Sequence, residues 1–295
     1  MRSLLFLTRA TSNPGSGVYF WQIRQTTKVE RAILTVNHIS YHYPGSRDLI
    51  LSDVSFTVRK GEFVSLIGAS GSGKSTIFRL LSGLADPDEG SISIEGAEHG
   101  SRLGSVALMP QKDLLLPWRT VLENVLLPVE ISGKDRGLKK EQAREWLERF
   151  GLKDYVHRYP SQLSGGMRQR VAFLRTMMTG AELLLLDEPF GALDTLTRQE
   201  MQTWLLTIWE EFRKTVVFIT HDIEEAVLLS DKVLVLSANK RNSGSITEEI
   251  CREITIPMER PRRHELVFEP EFIAYRRLLS GFIGPVSGGQ RGEAG

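Results

Sequence analysis

From Leu34 onward, apolar residues recur in two rhythms. In "DVSFTVR" (Asp53–Arg59), Val54, Phe56 and Val58 alternate with Ser55 and Thr57, the period of a half-buried strand. "SISIEG" (Ser91–Gly96) alternates in the same way, and "SVALMP" comes next. "EFVSLIG" (Glu62–Gly68), "LLLLD" (Leu183–Asp187) and "VVFIT" (Val216–Thr220) are denser and predict strands buried on both faces. "KVLVLS" is a further strand candidate. Helical patterns separate these strands, which argues for parallel pairing through crossovers. Between Lys112 and Gln162 the pattern is mixed. There Ala143, Trp146, Leu147 and Phe150 give Leu138–Phe150 helical spacing, and Pro117, Pro128 and Pro160 punctuate. The chain reads as an α/β core interrupted by a mostly helical insert, with a tail from about Ala238. The end of the tail, Phe268–Ile283, predicts an amphipathic helix packed on its own domain.

Composition narrows the function classes. Of 295 residues, 41% are apolar and 25% charged, ordinary values for a globular protein with a sizeable core. The formal net charge of +1 offers no basic field for nucleic acid. Cys251 is the single cysteine, so no intramolecular disulfide forms, which fits a reducing compartment. No apolar run approaches the ~18–20 residues that span a bilayer. Residues 1–33 read as an irregular extension, because their apolar patch stops at Leu7 and lacks a secretory core.

"GASGSGKST" (Gly68–Thr76) fits G-x-x-x-x-G-K-[ST] in full, after a buried strand and before a helix. Gly68, Gly71 and Gly73 let backbone N–H groups, with those of Ser70 and Thr76, face phosphate oxygens. The helix adds its positive end. Lys74 is placed to reach the β- and γ-phosphates of ATP and Ser75 to ligate Mg²⁺. Asp187 ends a buried strand, where it supplies a second Mg²⁺ carboxylate; Glu188 follows as general base for an attacking water.

A second anion cradle lies further on. In "LSGGMRQR" (residues 163–170), Ser164 is a good N-cap and Gly165 and Gly166 allow close backbone approach. A helix from about Met167 to Met178 follows. Two cradles and one triphosphate predict a head-to-tail sandwich, in which one chain's second cradle closes over the nucleotide held by its partner.

Together these stretches resemble an ABC-transporter ATPase subunit over about residues 34–235. "GASGSGKST" matches Walker A, "LSGGMRQR" the signature, "LLLLDEP" Walker B and "GALD" (Gly191–Asp194) the D-loop. "ITHD" with His221 matches the H-loop, and Gln111 in "MPQKDLLLPW" the Q-loop. The resemblance implies a P-loop NTPase core of ABC ATPase type with an antiparallel β subdomain and a helical insert. The ATPase domain would cover residues 34–240, the insert about 112–165 and the tail 241–295. It further implies that Tyr43 stacks on adenine, with Tyr41 as competitor. His221 would contact the γ-phosphate and hold water and Glu188, and Gln111 would touch Mg²⁺ or that water. Asp194 would cross the dimer interface.

Any transported solute must then cross another protein. "KDLLLPWRTVLENVLLP" (Lys112–Pro128) is rich in large apolar residues, including Leu114–Leu116 and Trp118. Core packing accounts for some of them; a groove for a short helix of a membrane permease is the functional reading. "LLPW-x-TV-x-x-NV" and the tail "MERPRRHELVFEPEF" are similar to importer ATPases of the nitrate/sulfonate/taurine group. Thiamine-precursor pyrimidine importers share much of the pattern. "SANKRNSGSI" is longer and more polar than that group's usual turn, and Leu174 and Thr176 replace small alanines. The group implies an extracytoplasmic substrate-binding protein, an ATP-dependent homodimer and a place at the cytoplasmic face of the cell membrane. A soluble ABC ATPase acting on DNA or ribosomes, or an export ATPase, is the competing class.

Overall fold

The computed structural model describes residues 31–46, 48–98, 102–133, 136–237 and 251–283. The expectations for residues 1–30, for "ANKRNSGSI" and for the extreme C-terminus lie outside them.

Six strands form the central sheet in the order β10-β9-β3-β8-β7-β6. They are β3 (Phe63–Gly68), β6 (Ala107–Met109), β7 (Leu183–Asp187), β8 (Thr215–Ile219), β9 (Lys232–Leu236) and β10 (Cys251–Thr255). All pair in parallel except β10, which runs antiparallel to β9 at the edge. Residues along each inner strand alternate between two cores. Val64, Leu66, Leu183, Leu185, Val217 and Ile219 enter one. Phe63, Ile67, Leu184, Leu186, Val216 and Phe218 enter the other. This two-sided burial is why these strands read as continuous apolar runs.

The first core is closed by a four-stranded antiparallel sheet, ordered β2-β1-β4-β5, and by helix α1 (Lys74–Leu81). Its strands are β1 (Ala32–His42), β2 (Leu49–Arg59), β4 (Glu89–Ile94) and β5 (Ala97–Glu98). In β2, Val54, Phe56 and Val58 are buried while Asp53 and Thr57 are exposed, as the alternation predicts.

The second core is covered by helices. The insert contributes α2 (Val121–Ser132) and α3 (Arg136–Arg149), and α4 (Gly165–Met177) and α5 (Thr195–Phe212) follow. Ala143, Leu147 and Phe150 are fully buried, in keeping with their spacing. Pro128 does not punctuate the chain: α2 runs through it. Proline forfeits one backbone donor, but Val125, Leu126 and Val129 are buried around it and hold the helix. At its start, Thr120 and Glu123 form a reciprocal capping box.

The tail folds back. Helix α6 (Ile223–Leu229) packs against α7 (Pro270–Ile283), whose Phe272, Tyr275 and Leu279 are buried at helical spacing. Arg276 pairs with Glu224 across that contact. The expected packing of the tail helix on its own domain is what the structure shows. Arg262, only 3% exposed, clasps the end of α6. Its Nη1 donates to the carbonyls of Val227 (2.9 Å) and Ser230 (2.6 Å), and its Nη2 to those of Ile256 (2.9 Å) and Met258 (3.0 Å). Burial, then the like charge of Arg260, lowers its pKa to about 10.

Candidate functional site

The carboxyl ends of β3, β7 and β8 carry the expected residues to one edge of the sheet, where open α/β sheets hold ligands. The loop after β3 is built on glycine where nothing larger fits. A Cβ at Gly68 would lie 2.4 Å from the Leu236 carbonyl oxygen, and one at Gly73 (φ 96°) 2.6 Å from Leu51 Cδ2. Lys74 Nζ donates to the carbonyls of Gly68 (2.8 Å) and Ala69 (3.0 Å), so the lysine lies along the loop. Burial lowers the Lys74 pKa, against the pull of Glu188 and Asp187. Ser70, Gly71 and Ser75 are exposed, and Thr76 is buried. Ser72 carries no signal in the sequence: its hydroxyl is buried inside the loop without a hydrogen-bond partner. The motif pattern leaves its position unspecified, so only the fold singles it out.

Asp187 ends β7, and its carboxyl is raised by burial and by Glu188, with Lys74 opposing. Glu188 adopts φ 42°, a left-handed conformation that bends the chain as it leaves the strand. Its backbone N–H donates to Ile219 on the neighbouring strand (3.0 Å). Its side chain meets two others: Gln111 Nε2 donates to Glu188 Oε2 (3.2 Å), and His221 Nδ1 lies 3.4 Å from the same oxygen. Gln111 comes just after β6 and His221 just after β8. Gly191 lies beside this meeting point: a Cβ there would stand 3.6 Å from both Gln111 Nε2 and Glu188 Oε2, ordinary contact distance.

Tyr43 and Tyr41 part company. Tyr41 is 6% exposed within the core, whereas Tyr43 is 36% exposed. The Tyr43 hydroxyl is 2.9 Å from Thr76 Oγ1, beside the phosphate loop, and Tyr41 meets its ring edge-on. The Arg79 guanidinium of α1 lies over the Tyr43 ring, 5.9 Å from its centroid, so Tyr43 rather than Tyr41 reaches the surface beside α1.

Ser164 caps α4, accepting from Met167 N (3.3 Å). The helix starts at Gly165, two residues earlier than expected, because both glycines adopt the first helical turn. A Cβ at Gly166 would meet Thr197 Cγ2 at 3.1 Å, and one at Gly165 would meet Leu193 Cδ2 at 3.2 Å. The turn is therefore packed against the D-loop and the start of α5. Asp194 is the N-cap of α5, accepting from Thr197 N (3.1 Å), and this hydrogen bonding holds its carboxyl below the usual range. Among the described residues, no hydrogen bond joins Ser164–Gly166 to Gly68–Thr76. The two cradles open separate helices, α4 and α1.

Asn124, fully buried, shapes the loop after Gln111. Its Oδ1 accepts from Leu116 N (2.7 Å), and its Nδ2 donates to the carbonyls of Leu116, Arg119 and Thr120 (3.0–3.1 Å). Arg168 and Arg175 of α4 hold Asp113 and Leu114. The result turns Leu115 inward and leaves Leu114 (59%) and Trp118 (71%) exposed.

A phosphate-binding loop, a carboxylate ringed by Gln and His, and a second capped Gly-Gly turn together define a nucleotide triphosphatase cassette. The chain belongs to the ABC transporter family, whose pattern matches residues 51–191. It is 44% identical over 235 residues to the formylaminopyrimidine import ATP-binding protein ThiZ of Halalkalibacterium halodurans, covering 80% of this chain and 91% of the relative. It is 39% identical over 258 residues to the bicarbonate transport ATP-binding protein CmpD of Synechocystis sp., covering 85% and 89%. ATP-binding proteins named for nitrate and taurine import match at 40% and 39% identity. Among solved structures, the ATP-binding cassette MJ0796, dimeric and bound to ADP and Pi, superposes with a TM-score of 0.62 at 29% identity, covering 77% of this chain and all of that one. The fold is thus the ABC ATPase fold expected, and the enzyme class is ATPase.

Proposed function

We propose that this chain is the ATP-hydrolysing subunit of a binding-protein-dependent importer for a small solute of the nitrate/sulfonate/taurine type. The observation that carries the ATPase chemistry is the convergence of Gln111 and His221 on one oxygen of Glu188. Glu188 takes the proton of the attacking water, and the two neighbours fix the carboxylate and the water. Gly68, Ser70, Gly71, Gly73, Lys74 and Thr76 cradle the phosphates, and Tyr43 stacks on adenine. Ser164, Gly165 and Gly166 of a second copy close over the γ-phosphate, because one chain's two cradles open different helices.

Mg²⁺ suits the donors present. Ser75 hydroxyl, Gln111 amide oxygen and Asp187 carboxylate are hard oxygen ligands, and the exposed Ser75 is free to ligate. When bound, the ion neutralises charge on the phosphates. Gln111 also orients the neighbouring Glu188, to which its Nε2 donates.

No helix among the described residues is long and apolar enough to cross a membrane, so the solute's path belongs to a partner permease. Leu114 and Trp118, held out by the Asn124 knot, form an apolar face for a short permease helix. The chain then sits at the cytoplasmic face of the membrane, and an extracytoplasmic substrate-binding protein delivers the solute. The thiamine-precursor reading stands beside the first because of the 44% identity to a formylaminopyrimidine relative.

The test is ATP hydrolysis after reconstitution with the permease and binding protein from neighbouring genes, against nitrate, bicarbonate, alkanesulfonates, taurine and formylaminopyrimidine. Stimulation by any of the first four supports the reading. Stimulation by the pyrimidine alone moves the assignment to thiamine precursors, and none at a normal basal rate overturns import of this solute class.

A further inference from the structure

Behind His221 lies a buried polar bridge that the chemistry above does not use. Glu225 of α6 is 5% exposed, and Thr220 and Gln202 are equally enclosed. Glu225 Oε2 accepts from Thr220 Oγ1 (2.5 Å), and the Thr220 hydroxyl in turn accepts from Asp222 N (3.0 Å). These two bonds bracket His221 in the chain. Glu225 Oε1 accepts from Gln202 Nε2 (3.0 Å) on α5. Arg198, one turn earlier on α5, has its Nε 4.0 Å from Glu225 Oε1. That Nε is buried with no hydrogen-bond partner, while Nη2 of the same guanidinium donates to the Leu193 carbonyl (3.0 Å) inside "GALD".

We infer that Glu225 is a positioning residue that couples the D-loop to the His221 turn. Its carboxylate joins α5 to Thr220: one oxygen faces Gln202 and Arg198, the other faces Thr220. Burying a carboxylate costs more than apolar packing of the same volume, so the bridge is a poor way to gain stability alone. Burial indeed raises the Glu225 carboxyl, against its Thr220 and Gln202 hydrogen bonds. What the carboxylate adds is geometry. A shift of the Leu193 carbonyl moves Arg198, Arg198 approaches or leaves Glu225, and Glu225 moves the turn that aims His221 at Glu188. The D-loop, which packs against the Gly165–Gly166 turn, is thereby linked to the hydrolytic centre through the interior of one chain. The inference rests on the ATPase roles proposed for His221 and Glu188.

The experiment uses the full-length chain, with ATP as substrate and a fluorescent ATP analogue as the binding probe. Glu225→Gln keeps the shape and loses the charge; Thr220→Val keeps the shape and loses the hydroxyl. Each should lower kcat about tenfold while KM and analogue affinity stay put, because the loss is of orientation and not of binding. Thr220→Ser should restore kcat. The double variant should be no slower than the slower single one, as expected for two halves of one bridge. Multiplicative losses, an unchanged kcat in both single variants, or a loss of analogue binding equal to the loss of kcat would overturn the coupling. A wild-type chain that binds the analogue but never hydrolyses ATP would overturn the ATPase roles and the coupling together.

Discussion

His221 Nδ1 stands 3.4 Å from Glu188 Oε2, the oxygen that also accepts from Gln111 at 3.2 Å. Strands β6 and β8 thus each deliver one side chain to a single carboxylate oxygen carried by the residue after β7. His221→Ala and Gln111→Ala should each slow turnover, the histidine variant by about a hundredfold, since they leave Glu188 unfixed and not unbound. Nucleotide affinity should hold in the histidine variant. Steady-state kinetics beside equilibrium binding checks this, and an unchanged kcat in His221→Ala would remove the histidine from the centre.

That centre was largely legible before the fold was known. The phosphate loop is contiguous, and its glycines, lysine and hydroxyls declare their chemistry. Leu183–Asp187 and Val216–Thr220 have no polar face, so their burial on both sides follows from the pattern. Glu225 was not legible. It reads as one of several acidic residues opening a helix, and its partners Arg198 and Gln202 belong to a different helix. Arg262 was also invisible, because an arginine in a polar tail reads as solvated. Strand β10 mixes charge into "CREIT", and only its pairing with β9 defines it.

Trp118 tests the membrane partner. It is 71% exposed on a loop tied by Asn124, so Trp118→Asp should leave the isolated protein's ATPase and thermal stability unchanged. Co-purification with the permease should fall. A variant that destabilises the chain while keeping the complex would return Trp118 to internal packing.

Arg262 is a matter of stability. Arg262→Met leaves the carbonyls of Val227, Ser230, Ile256 and Met258 without their donor. A loss of about 3 kcal/mol or more in denaturant unfolding is expected, the scale of removing one partner from a buried charged hydrogen-bond set. A loss confined to a few tenths would show that the clasp is dispensable.

Glu62 gives a pH dependence. Burial raises its carboxyl, and Lys232, 3.6 Å away, offsets this only in part. The folded chain therefore keeps the proton to higher pH than the unfolded chain. Stability from this group is fully present below the unfolded value of 4.5 and is lost as pH rises through the raised folded value. Glu62→Gln cannot ionise, so its stability relative to wild type should rise across that window. Urea unfolding at several pH values measures it, and a difference independent of pH would contradict the burial argument.

The central claim is that two copies share each ATP, with Glu188 as the base. Glu188→Gln keeps every binding contact and removes the proton acceptor, so ATP should trap the closed pair. Sedimentation velocity of this variant with saturating Mg-ATP is the most direct measurement. The account predicts a dimer with ATP and a monomer with ADP or without nucleotide; a variant that stays monomeric in saturating Mg-ATP would contradict it.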